Sequence, residues 1–249
     1  MLFNDSILFI GLVFLVAGWV KGVVGMGLPT VAMGALAVVM PPVQAAALLV
    51  LPSMVTNIWQ FITGPAKMRV MVRLATMMLC LCAGTAIGIH FLTSGSSRRP
   101  SVALGAVLAL YALLALFLPK FIVPPHLEHR LSPLVGVITG ILTGATGVFV
   151  VPAVPYLSAL GLSKDELVQA LGFSFTVATI ALALGLGLKN SFSSHALISS
   201  LFAVVPALIG MFIGRHTRDR INPAAFRKWF LLAMLLLGSY MVLKGLAVP

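Results

Sequence analysis

Gly18-Trp-Val-Lys21-Gly22-Val-Val-Gly25-Met-Gly27-Leu-Pro29-Thr30 interrupts an apolar run that extends from about residue 6 to about residue 40. A straight helix over such a run would measure about 52 Å, against a hydrocarbon core of about 30 Å. The run must tilt steeply or break, and the glycines followed by a proline mark where. A second run, from about 132 to about 160, has the same excess length and the same punctuation: Gly140-Ile-Leu-Thr143-Gly144-Ala-Thr146-Gly147-Val-Phe-Val-Val-Pro152. Six further apolar runs, near 43–63, 74–94, 101–118, 167–188, 195–214 and 228–247, have single-span length. Composition agrees, because only 8% of the 249 residues are charged and the mean hydropathy is +1.13, whereas a soluble domain carries roughly 25% charged residues. A water-soluble fold is excluded. The chain reads as an all-α polytopic membrane bundle of about 8 to 10 segments.

The two long runs are related. Sliding the chain by 122 positions superposes Gly18 on Gly140, Gly22 on Gly144, Gly25 on Gly147 and Gly88 on Gly210 without a gap, where chance predicts about one match. Lys67 meets Lys189 and Arg98 meets Arg220 at the same offset. The sequence therefore predicts two homologous transmembrane repeats, residues 1–122 and 123–249, each with a broken or hairpin glycine-rich segment followed by three spans.

Charge decides how they are inserted. Sixteen Lys and Arg stand against five Asp and Glu, a net charge of +11, but the basic residues fall in short runs between apolar stretches with no interleaved aromatics. That pattern suits topology control rather than nucleic-acid binding. If each long run turns back, the loops at 64–73, 119–131, 161–167 and 215–228 share one face with eleven basic residues, and the other face has four: Arg98, Arg99, Lys189 and Lys244. If each run crosses once, the split is seven to eight and carries no orientation. The positive-inside rule favours turning back, with both termini outside. Each repeat then makes an odd number of crossings, so the two are inverted relative to each other, a plan common among secondary transporters.

Unwound backbone in a membrane must line a cavity or be buried in protein, so the breaks are the first place to look for a site. Pro29 suits the first turn of a new helix, whose free N–H groups attract an anion, and Pro152 marks the counterpart in the second half. The bland alternative is close packing at small-xxx-small spacing, which Gly18 and Gly22 also fit. Lys21 is the one basic residue well inside an apolar segment, where a charge is costly enough to suggest function, although its stem could snorkel to the interface. Asn57 and Gln60 share a helix face and can donate to an oxyanion without adding charge; their alternative role is to hydrogen-bond the bundle together. Gln169, Ser174, Thr176 and Thr179 supply polar groups in the matching part of the second half. The expected anion site comprises Lys21, Gly25, Gly27, Pro29, Asn57, Gln60, Thr143, Gly144, Thr146, Gly147, Gln169, Ser174 and Thr176.

The five acids, Asp5, Glu128, Asp165, Glu166 and Asp219, all fall at termini, loops or helix starts, which argues against a carboxylate relay in the membrane. Asp165 and Glu166 follow Ser163 and read as helix-cap partners. His90 and His195 sit at span ends, and Cys80 and Cys82 are too poorly placed on a helix to pair. No metal or other cofactor is implied.

The duplicated glycine segments, Gly22-x-x-Gly25-Met-Gly27-Leu-Pro29 and Gly140-x-x-x-Gly144-x-x-Gly147 with Pro152, the Pro52 to Gln60 stretch, and the length together resemble the TauE/SafE family of sulfite exporters and related anion permeases. The resemblance covers essentially the whole chain. It implies a permease in the bacterial inner membrane that moves a small sulfur-containing anion, such as sulfite or a sulfonate. Val148 and Phe149 stand where the first half has Met26 and Gly27, so the two halves are not equivalent at the break. The expected partners are a small inorganic or organic anion and membrane lipid, with homodimerisation left open. Two other readings compete with alternating access: a passive anion channel, and a membrane-embedded lipid-phosphate enzyme, for which the sequence offers buried Ser and Thr but no carboxylate and no well-buried His beside them.

Overall fold

A computed structural model describes residues 2–117, 121–192, 194–218 and 220–247. Lys120 and Asp219, and the side chains of Asp5 and His195, lie outside what it describes. Among the described residues ten helices succeed one another: α1 (Leu2–Val24), α2 (Leu28–Leu36), α3 (Pro42–Ile62), α4 (Lys67–Leu92), α5 (Arg98–Phe117), α6 (Pro125–Thr146), α7 (Ala153–Ala159), α8 (Lys164–Leu188), α9 (Ser194–Thr217) and α10 (Pro223–Ala247). Seven of them, all but α2, α6 and α7, are long and apolar enough to cross a membrane. The chain is a multi-pass helical membrane protein.

Both over-long apolar runs are broken where the glycines fall. Gly27 caps α2 with φ 112°, and Gly147 ends α6 with φ 73°, left-handed conformations that a side chain would strain. Pro29 lies in the first turn of α2 and Pro152 caps α7, positions at which a missing N–H costs nothing. α8 opens with the expected capping box: Glu166 N donates to Ser163 Oγ (3.3 Å) and Ser163 N donates to Glu166 Oε2 (3.1 Å). In α3, Pro52 cannot bond the carbonyl of Leu48, and Ser200 Oγ on α9 donates to it instead at 2.8 Å.

The helices from the two ends of the chain interleave. α1 packs along α9 and α6 along α4, while α3 pairs with α8 and α5 with α10. Both of the first two pairs run parallel and approach backbone to backbone. A Cβ on Gly18 would lie 2.1 Å from Ala207 O and one on Gly22 2.3 Å from Met211 O; on the other pair, Gly140 and Gly144 would meet Leu81 O at 2.1 Å and Thr85 O at 2.5 Å. The small-residue spacing thus serves close packing at these four glycines.

The connections sort onto two faces. Arg69 pairs with Glu166 (3.3 Å), Arg73 grips both oxygens of Glu128 and donates to Leu160 O, and Val123 N donates to Ala159 O. These contacts gather the ends of α3, α7 and the starts of α4, α6, α8 on one face. Trp19 Nε1 donates to Thr217 Oγ1 (3.1 Å), which brings the end of α9 to the same side. On the opposite side, Ala37, Val38, Pro41, Pro42 and Val43 line cavities with Ser97, Arg98, Ser191 and Lys244. α1 therefore runs toward the basic face and α2 turns back from it. α6 leaves the basic face, reaches Met33 and Ala46 at Gly147, and α7 returns.

Adding one methyl to the α4–α6 contact should be costly. Gly140→Ala forces Leu81 O away and is expected to lower stability by about 1–3 kcal/mol. Gly11→Ala, with nothing within 4 Å of the new methyl, should be neutral or slightly stabilising. Thermal unfolding of the purified variants in detergent checks this, and matched melting temperatures would show that the helices separate at no cost.

Candidate functional site

Lys21 lies in the last turn of α1 and is 2% exposed. Its Nζ donates to Thr56 Oγ1 at 3.1 Å and to Asn57 Oδ1, both on α3. Thr56 Oγ1 in turn donates to Pro52 O (2.7 Å), and Asn57 Nδ2 donates to Thr179 Oγ1 on α8 (3.4 Å). Asn57 and Thr179 are 122 positions apart, the offset that relates the glycine segments. Thr56, Asn57 and Thr179 are all buried.

The electrostatics follow from this inventory. An ammonium has three donors and a full charge. Here its two partners are neutral, and among the described residues the ion pairs are Arg69 with Glu166 and Arg73 with Glu128, neither of which involves Lys21. A cation buried within a membrane-spanning segment is costly when no opposite charge answers it. Two neutral acceptors offset part of that and leave one N–H of the protonated amine claimed by neither. Ser53 and Ser174, on the paired helices α3 and α8, each carry a buried hydroxyl with no hydrogen-bond partner among the described residues.

The other predicted residues divide into distinct roles. Gln60 Nε2 donates to Gly25 O (2.9 Å) and Val168 O (2.8 Å), so it answers the carbonyl exposed at the α1 break. Gln169 Nε2 donates to Phe61 O (2.9 Å), and Gln169 Oε1 accepts from Ala66 N (2.7 Å). The two glutamines form a reciprocal latch between α3 and α8 at the basic face. Thr143, Thr146 and Thr176 return their hydroxyl protons to Thr139 O, Leu142 O and Gly172 O on their own helices. Gly144 faces α4. The two breaks have different neighbours: Gly27, ahead of Pro29, lies against Val20 and Phe230, and Gly147 against Met33 and Ala46.

Four residues, Ser53, Thr56, Thr179 and Ser200, were not among the expected site residues. Thr56 is one position from Asn57, and Thr179 follows from the 122 offset, so both had a sequence signal. Ser200 had none, because its bond to Leu48 O links helices far apart in sequence.

The latch should be measurable. Gln169→Ala removes its bonds to Phe61 O in α3 and to Ala66 N at the start of α4, and amide hydrogen exchange over residues 61–66 should quicken by about tenfold, the equivalent of about 1.4 kcal/mol. Unchanged protection there would show that packing alone closes this face.

A family model described as sulfite exporter TauE/SafE matches residues 10–241. No curated protein and no solved structure matches the chain.

Proposed function

Because the chain belongs to the sulfite exporter TauE/SafE family, a family of membrane exporters and permeases, we propose that it is a secondary transporter for a small sulfur-containing oxyanion, sulfite or a sulfonate. The observation that carries this reading is the buried Lys21 side chain, whose Nζ is hydrogen-bonded, among the described residues, to neutral groups alone. A small oxyanion supplies the missing charge and accepts the remaining N–H. The hydroxyls of Ser53 and Ser174 are buried donors of the kind that replaces part of an anion's water shell. Nothing in such a site requires a cofactor or a catalytic step, and the reading is of a transporter rather than an enzyme.

Alternating access gives the latch its role. Lys21, Thr56, Asn57 and Thr179 are all closed off from solvent, which suits an occluded state more than an open pore. On the basic face, four hydrogen bonds through Gln60 and Gln169 hold the ends of α1, α3 and α8 together. The positions 122 away from Gln60 and Gln169 are Leu182 and Ala47, which can supply no such bonds at the other face. In this reading two inverted repeats, 1–122 and 123–249, rock about the α3–α8 pair. The contact of Asn57 with Thr179 is what an axis between equivalent positions would produce. The face with eleven basic residues is cytoplasmic, both termini lie outside, and the membrane is the bacterial inner membrane.

Two substitutions test the site. Lys21→Ala in proteoliposomes should abolish saturable sulfite or sulfonate flux, and undiminished flux would exclude the assigned role. Asn57→Asp, nearly isosteric, places a carboxylate beside the ammonium; it should weaken anion binding by at least about tenfold while leaving the protein folded, read as a lost thermal shift with sulfite.

A further inference from the structure

α4 and α8 enclose a groove of about 480 Å³ lined by Ala86, Ile89, Ile180 and Ala181, with His90 and Lys189 at the end away from the basic face. His90 and Lys189 are both exposed, and neither joins an ion pair among the described residues. The corresponding surface 122 positions away, on α3 and α9, is filled. Trp59 replaces Ala181 and Phe212 replaces His90, and their rings meet edge to face at 6.3 Å. Small residues on one side and stacked aromatics on the other leave a single open groove of this pair.

The groove has the dimensions and polarity of one lipid leaflet. From Val177 to Lys189, α8 rises about 18 Å, close to the half-thickness of about 15 Å of a hydrocarbon core. Its walls are aliphatic and its mouth is cationic. A second copy of the chain does not supply the occupant through the aromatic ridge: Trp59 and Phe212 lie toward the basic face and the groove toward the other, so in one membrane orientation they sit in opposite leaflets. We propose that the groove seats one acyl chain of an anionic phospholipid, with its phosphate against Lys189 and His90.

Native mass spectrometry of the purified full chain tests this, with phosphatidylglycerol, phosphatidylcholine of the same chains, and soluble glycerophosphate as probes. Phosphatidylglycerol should bind about fivefold more tightly than phosphatidylcholine. Lys189→Gln should remove that preference, and Ala181→Trp, which copies the filled side, should weaken both lipids. Equal binding of the two lipids to the wild type, or glycerophosphate binding as tightly as phosphatidylglycerol, would overturn the proposal, as would unchanged binding to Ala181→Trp. Lys189 is exposed, so Lys189→Gln keeps the test decisive if the tryptophan variant does not fold.

Discussion

In hydrocarbon, a backbone N–H or C=O without a partner costs several kcal/mol, and no water is at hand to supply one. This protein departs from regular helix at several buried points, and at four backbone sites a particular side chain supplies a partner. Gln60 takes the carbonyl of Gly25 at the α1 break, and Thr30 takes that of Gly27 (2.8 Å). Ser200 takes the carbonyl that Pro52 leaves free, and Gln169 takes one carbonyl and one N–H where α3 gives way to α4. The broken segments can exist in the membrane because the polar side chains are committed to them.

That commitment isolates Lys21. The hydroxyl and amide bonded to Lys21 are neutral, and among the described residues Glu128 and Glu166 pair with arginines at the starts of helices, so the protonated amine keeps a donor that neither partner takes. The dipole of a helix terminus contributes at most about 2 kcal/mol to an anion, so two termini would not by themselves make the site.

The glycines of the two long segments divide between two tasks that their spacing does not distinguish. Gly18, Gly22, Gly140 and Gly144 let helices touch along their backbones, whereas Gly27 and Gly147 adopt the left-handed conformation that ends or begins a helix. In each segment the packing glycines come first and the break follows within one or two turns. A close parallel contact thus holds each long helix firm up to the point where the chain turns, which places Lys21 one turn before the Gly25 carbonyl and opposite α3.

The sequence by itself determined the helical membrane class, the breaks at both glycine runs and the capping box of α8. These depend on local length, hydropathy and dihedral preference, which neighbouring residues set. It also carried the 122 offset and the concentration of basic residues in alternate loops, because each is a sum over the chain that needs no coordinates. It placed Lys21 and Asn57 among the candidates but could not join them, since 36 residues separate the two and their meeting depends on how α1 lies against α3. Only the tertiary structure decided that α1 packs on α9 rather than on its own half, that Gln60 and Gln169 serve backbone groups, and that Ser200 completes α3. The physical reason is that a polar side chain in a membrane bonds whichever unsatisfied group the packing brings within about 3 Å, and sequence distance does not encode that proximity.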